Sequence, residues 1–150
     1  YGSTATAAEM LKVQLKADAE IVDLKETDVD LEKYDFVILG ASIYAGRIQK
    51  KMTTFIERNL QKLLSKKIAV YLMAGENNPG EQEKQLIKNF PESLLKIASV
   101  CGHFGDVINF GKLPFYFKMI VFLIQRSSSS RSNIDEKAIK DFADKINGMA

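Results

Sequence analysis

The sequence predicts a single α/β domain built on a doubly wound parallel sheet, and two observations carry this prediction. Segments with helical spacing of apolar residues alternate with short apolar runs along the chain. Two of these runs, residues 35–40 and 66–73, are apolar without alternation, as strands are when helices cover both faces of a sheet. Alternation of this kind implies a parallel sheet with right-handed crossovers.

The individual elements follow from local patterns. Proline disfavours helix in the preceding residue, so Pro91 predicts a break at Phe90. The predicted elements are, in order, a helix over 7–15, a short strand over 19–24, a strand over 35–40, a helix over 48–64, a strand over 66–73, a helix over 80–98 with its break, a weaker strand over 100–109, an apolar helix over 113–125, a polar loop over 127–132 and a helix over 134–146 that Gly148 ends.

A further strand is expected ahead of the first helix. The run Tyr1-Gly2-Ser3 before a helix has the form of the turn that follows a buried first strand in nucleotide-binding α/β folds. In the strand order 2-1-3-4-5, that first strand lies between the second and third strands. We therefore expect the natural protein to carry about five to eight more apolar residues upstream, the usual length of a strand.

Composition limits the classes of function. The chain has 150 residues, the size of one domain, and its formal net charge of +2 gives no electrostatic argument for nucleic-acid binding. Cys101 is the only cysteine, which excludes an intrachain disulfide and a thiolate metal cluster and indicates a reducing, cytoplasmic setting. The most apolar stretch, residues 113–124, contains Lys118 and is shorter than the roughly 20 apolar residues that a bilayer-spanning helix needs.

Four blocks of sequence carry a family resemblance. They are YGST at 1–4, GASIYAGRIQ at 40–49, GHFGDVINF at 102–110 and SNID at 132–135, of which the second is the most specific. Together they resemble the flavodoxin-domain proteins, a family that includes menaquinone-linked protoporphyrinogen dehydrogenases and many bacterial relatives. The resemblance covers essentially the whole chain. It implies a flavodoxin-like five-stranded sheet in the order 2-1-3-4-5, with an FMN at the carboxyl ends of the strands that is used for electron transfer.

The turn before the first helix is the implied phosphate site. A helix amino terminus offers backbone N–H groups and a positive dipole end, which suits a phosphate. The chain departs from the family pattern T-x-T-G-x-T, because Thr6 replaces the glycine and Ala8 the last hydroxyl. An alternative interpretation is a capping box, in which Thr6 and Glu9 satisfy each other's backbone donors. The residues assigned to the phosphate are Ser3, Thr4, Ala5, Thr6, Ala7 and Ala8.

Two further loops complete the implied FMN site. In the loop after the third strand, Tyr44 is expected to lie against the isoalloxazine ring; the alternative is that it only covers the end of the sheet. The loop after the fourth strand is the third place where such folds meet their ligand. The residues assigned to these loops are Ser42, Ile43, Tyr44, Ala45 and Gly46, and then Gly75, Glu76 and Asn77.

Cys101 and His103 stand two residues apart in a strand pattern, so they face the same side of the sheet. Free cysteines are usually buried and histidines are often partly buried, so we expect structural roles for both. Two such residues do not make a metal site, and no spacing suggests a hydrolase. We name no catalytic acid or base, because a flavin would perform the redox chemistry.

Two functions follow from these residues. The leading one is an FMN-binding oxidoreductase or electron-transfer protein, either of the protoporphyrinogen dehydrogenase type or a simple carrier. Its expected partner is a redox protein or a quinone-like acceptor. The alternative, favoured by Thr6 and Ala8, is a cofactor-less interaction or regulatory module.

The apolar helix from Leu113 to Ile124 needs cover on nearly all sides. Four alternatives would cover this helix: a homodimer mate, peripheral contact with a membrane surface, a quinone-like ligand, or burial within the monomer.

Overall fold

The computed structural model describes residues 3–25, 29–76, 78–105, 107–108, 131–132 and 134–149. The predicted site residue Asn77 and the predicted apolar helix over 113–125 lie outside these ranges. Within them, the chain forms five α-helices, a three-stranded sheet and a two-stranded sheet.

The main sheet is parallel, with the strand order β1-β2-β3. Its strands are β1 (Phe36–Ser42), β2 (Lys67–Met73) and β3 (Ala98–His103). Phe36 lies opposite Lys67 and Ile68 opposite Ala98, so the three carboxyl ends meet at one edge. These strands correspond to the predicted third, fourth and fifth strands, and they lie side by side in that order. The parallel α/β class is confirmed.

The last predicted strand, over 100–109, is wrong in its second half. Strand β3 ends at His103, and Gly105 follows with a φ of 79°, a conformation outside any regular strand. A separate antiparallel pair then forms from β4 (Val107–Ile108) and β5 (Arg131–Ser132), so the predicted loop over 127–132 ends in a strand.

The helices lie close to their predicted positions. They are α1 (Ser3–Gln14), α2 (Lys50–Leu64), α3 (Pro79–Asn89), α4 (Glu92–Ile97) and α5 (Glu136–Asn147). The predicted break at Phe90 is confirmed, because Phe90 has extended backbone between α3 and α4. The Asn78 side chain caps α3, the Asp135 side chain caps α5, and Gly148 ends α5 as predicted.

Each face of the sheet has its own apolar core. On one face, Ile68, Val70 and Leu72 of β2 pack against α2 and α4. On the other face, Ala69, Tyr71 and Met73 pack against α1 and α5. Alternate residues of β2 thus enter opposite cores, which explains why all six from Ile68 to Met73 are buried and why the strand carries no polar alternation.

The predicted strand over 19–24 is wrong. These residues are irregular and lie on the far side of a groove of about 330 Å³ that runs along the free edge of β1, beneath α1. A strand exists only through hydrogen bonds to a neighbour, and residues 19–24 pair with none of the described strands. The groove separates residues 19–24 from β1, so no ladder forms.

Candidate functional site

Two of the three predicted ligand segments meet at the carboxyl edge of the sheet. The Thr4 hydroxyl in the first turn of α1 is hydrogen-bonded to the Ser42 hydroxyl at the end of β1. The Ile43 amide in turn donates to the Met73 carbonyl at the end of β2, with an N···O distance of 2.9 Å. The first turn of α1 and the loop after β1 are therefore neighbours, and the loop after β2 starts beside them.

The first turn of α1 is helical from Ser3, which makes the capping-box interpretation wrong. An N-cap residue has extended backbone, whereas Thr6 lies inside the helix and is exposed. Among the other residues assigned to the phosphate, Ala5 is exposed, Thr4 and Ala8 are half-buried, and Ala7 is completely buried in the core shared with α5. The backbone donors of this turn are thus carried by a helix fixed to the sheet.

Tyr71 fixes that helix, although it was not among the predicted site residues. Its hydroxyl donates to the Thr4 carbonyl over 3.1 Å, although the two residues are 67 positions apart. The ring reaches Thr4 by crossing Gly40, its partner on β1, where an added Cβ would lie 2.2 Å from the Tyr71 Cζ. The available signal was a tyrosine within an aliphatic strand, at the register position of a strand glycine.

The stability of the domain should fall at high pH because of Tyr71. Burial raises the pKa of its hydroxyl well above the ordinary value of 10.0. The folded state therefore holds this proton more tightly than the unfolded state, so the contribution of Tyr71 is complete below pH 10 and is lost as the pH rises above it. Between pH 10 and pH 11 we expect wild type to lose about 1 kcal/mol more than Tyr71→Phe in urea unfolding.

The comparison of wild type with Tyr71→Phe needs no further control, because the two proteins share every other titrating group. These include Tyr34, whose pKa is raised by its hydrogen bond to Glu20. Parallel pH profiles for the two proteins would show that Tyr71 ionises as readily in the folded state as in the unfolded state.

The loop after β1 contains a tight turn that carries Tyr44. The Tyr44 amide donates to the Arg47 carbonyl over 2.8 Å, and the Arg47 amide donates back to the Tyr44 carbonyl over 3.1 Å. The two central residues have positive φ, 50° at Ala45 and 79° at Gly46, as a type I′ turn requires. Tyr44 is half-buried at this position.

The loop after β2 is organised by Glu76. Its carboxylate accepts from the Asn78 amide over 2.8 Å, and its carbonyl accepts from the Gln82 side chain over 2.8 Å. Gly75 beside it is exposed and Glu76 is half-buried. Both contacts join the loop to the start of α3, so the loop and this helix form one unit.

His103 and Cys101 lie on the face of β3 opposite the α5 core. The His103 Nε2 lies 3.3 Å from the Gln85 Oε1 of α3. Burial lowers the pKa of His103, and the Glu76 carboxylate opposes this shift. Cys101 is exposed, so its expected burial is wrong; the buried residue beside it, Val100, is the one that faces α5. The described residues contain no group of three or more histidine, cysteine or acidic side chains able to hold a metal.

The fold and these three segments define a class of protein. A parallel sheet with helices on both faces and ligand loops at its carboxyl edge is typical of nucleotide-binding α/β domains. Residues 1–135 match a family model described as a flavodoxin domain, and the chain therefore belongs to the flavodoxin-domain family. The resemblance found from the sequence is confirmed at this level. No curated protein matches the chain.

Membership of this family suggests an electron-transfer role with a flavin such as FMN in general terms. In the described parts of the chain, no helix combines the length and the apolar composition that crossing a bilayer requires.

Proposed function

We propose that this chain is an FMN-binding, flavodoxin-like oxidoreductase or electron-transfer protein. The observation that carries the proposal is the contact between Thr4 and Ser42, which brings the first turn of α1 to the loop that holds Tyr44. In a chain of the flavodoxin-domain family, these are the two segments expected to bind the phosphate and the ring of the cofactor.

The residues of the first turn fit a phosphate in their chemistry. The opening N–H groups of a helix have no partner within the helix, and the positive end of its dipole favours an anion. Ser3, Thr4 and Thr6 add hydroxyls to these donors. Thr6 stands where a glycine is usual in the family, so the backbone approaches a phosphate less closely there. We therefore expect a lower affinity for the phosphate than in a glycine-containing turn.

The other two segments fit the ring system. Tyr44 would offer an aromatic face, and Gly75 and Glu76 would border the ring from the loop after β2, with Asn77 as the third residue assigned there. Bound FMN supplies reversible one- and two-electron chemistry. The task of the chain's own residues is then to bind the group, to orient it and to limit the access of water to it.

The electron partner follows from the same proposal. A redox protein or a quinone-like acceptor would exchange electrons at the carboxyl edge of the sheet, where the predicted ligand loops lie. In its more specific form, the proposal is a protein of the protoporphyrinogen dehydrogenase type that contacts the membrane surface through residues 113–124. A homodimer is the other arrangement that would cover those residues.

Titration with FMN tests the proposal. We expect freshly purified protein to be yellow, or apoprotein to quench the fluorescence of added FMN. Tyr44→Ala should raise the Kd about tenfold, since a ring contact contributes on the order of 1 kcal/mol beyond its buried area. Tyr34→Ala is the matched control: Tyr34 is also a half-buried tyrosine, but it precedes β1 at the opposite edge of the sheet, where its hydroxyl bonds Glu20.

A colourless protein that takes up no added FMN would contradict the proposal. That result would favour the second candidate, a cofactor-less interaction or regulatory module, for which the replacement of the usual glycine and hydroxyl by Thr6 and Ala8 is the specific observation.

A further inference from the structure

Asn89, the last residue of α3, holds the turn after β1 from a distance of about forty positions in the sequence. Its Oδ1 accepts from the Ile48 amide over 3.1 Å, and its Nδ2 donates to the Gly46 carbonyl over 3.4 Å. The same Nδ2 donates to the Gln85 carbonyl one turn earlier in α3, over 2.9 Å. One side chain therefore ties the second half of the turn, at Gly46, and the residue that follows the turn, Ile48, to a single helix.

The backbone of the turn is strained, so hydrogen bonds from outside the turn stabilise it. Ala45 has a φ of 50°, a strained conformation that residues with a Cβ rarely adopt. Ala45 is exposed, and the two hydrogen bonds of the turn's own backbone join Tyr44 and Arg47. Asn89 supplies an acceptor for the Ile48 amide and a donor for the Gly46 carbonyl, and these two bonds fix the orientation of the turn relative to the rest of the domain.

The position of Asn89 also links two segments of the proposed site. Helix α3 begins immediately after the loop that Glu76 organises, and it ends at Asn89 against the turn that carries Tyr44. Lys88 lies at the same junction, where its Nζ would be 3.3 Å from a Cβ added at Gly46. The loop after β2 and the turn after β1 are thus attached to the two ends of one eleven-residue helix.

We infer that Asn89 is a positioning residue, which fixes the Tyr44 turn against α3 and thereby sets where the Tyr44 ring lies relative to the loop after β2. Its consequence for cofactor affinity rests on the proposed FMN function. Its consequence for the turn does not, and the two are measured separately.

The test compares Asn89→Ala with a matched variant, Asn59→Ala. Asn59 is also a half-buried asparagine whose Nδ2 donates to the carbonyl four residues earlier, that of Phe55, over 2.9 Å, but this bond stays within α2 and holds no loop. Without FMN, amide hydrogen exchange by NMR should accelerate about tenfold at Arg47 and Ile48 in Asn89→Ala, relative to the core amide of Val70. Asn59→Ala should leave these amides at their wild-type rates.

A second variant keeps the test informative if Asn89→Ala folds poorly. Asn89→Asp retains an acceptor for the Ile48 amide but loses the donor to the Gly46 carbonyl. Ile48 should then exchange nearly as in wild type, while the Kd for FMN rises, because the Gly46 side of the turn is released. In Asn89→Ala the Kd for FMN should rise about tenfold, and in Asn59→Ala it should not change.

Each result decides between the alternatives. Unchanged exchange at Arg47 and Ile48 in Asn89→Ala, or equal acceleration in Asn59→Ala, would overturn the inference. Accelerated exchange with an unchanged Kd in a protein that binds FMN would overturn the link to Tyr44. Accelerated exchange in a chain whose wild type takes up no FMN would support the role of Asn89 at the turn and reject the proposed function instead.

Discussion

Gly40→Ala is expected to destabilise the domain by about 3 kcal/mol, the upper part of the range for overpacking a core. The new Cβ would lie 2.2 Å from the Tyr71 Cζ and 2.3 Å from its hydroxyl oxygen, well inside van der Waals contact. The ring has little room to move, because Tyr71 is 3% exposed and stacks on Phe104 with a centroid distance of 4.6 Å. Urea unfolding monitored by circular dichroism measures the loss.

Gly148→Ala is the matched control for this substitution. Gly148 follows α5 with a φ of −71°, a conformation open to any residue, and the atoms nearest to an added Cβ are 3.5 Å and 3.6 Å away, both ordinary contacts. Its replacement should leave the free energy of unfolding unchanged or raise it slightly, because alanine has less freedom in the unfolded chain. Equal losses at the two glycines would show that Tyr71 does not cross Gly40 as described.

The parts of the fold that the sequence predicted correctly depend on short-range physics. The strands at 36–42 and 67–73 were visible because both faces of each are covered, which demands an unbroken apolar run. The break between α3 and α4 followed from the clash of Pro91 with a helical Phe90, which involves two adjacent residues only. Such features are decided within a few residues and can be read from a single chain.

The features that the sequence did not reveal depend on partners far along the chain. Residues 19–24 have an apolar spacing compatible with a strand, but a strand requires a neighbour, and a groove separates these residues from β1. The capping box at Thr6 was locally sound. The helix nevertheless includes Thr4, which is held by Ser42 and Tyr71 at separations of 38 and 67 residues.

The candidate site shows the same division. The end of the apolar run at residue 40 was a local signal for the loop over 42–46, and the structure has a turn there. The positive φ of Ala45 and the support from Asn89 had no such signal, because an alanine does not favour that conformation and an asparagine at a helix end usually serves its own helix. Family resemblance supplied the assignment of these loops to a flavin, which no spacing of residues could provide.

Phe104→Ala is expected to cost about 4 kcal/mol, as for other large aromatic residues removed from a core. Phe104 is completely buried, and its ring lies 4.6 Å from that of Tyr71 and 5.1 Å from that of Phe142. Its backbone also joins the sheet to α5, since its amide donates to the Leu72 carbonyl and its carbonyl accepts from Asp135. Ile87→Ala, at a side chain that is 64% exposed, should change stability by less than about 0.5 kcal/mol.

Combining Phe104→Ala with Gly40→Ala should cost clearly less than the sum of the two single losses. Both residues contact the Tyr71 ring, Gly40 from β1 and Phe104 from the segment after β3, so the cavity left by Phe104 gives the ring room to retreat from a new Cβ at position 40. Residues that share a partner commonly couple by 0.5–3 kcal/mol, and about 1–2 kcal/mol of relief is expected here. A double-mutant cycle from urea unfolding of the four proteins measures it. Strict additivity would mean that Tyr71 does not transmit strain between its two neighbours.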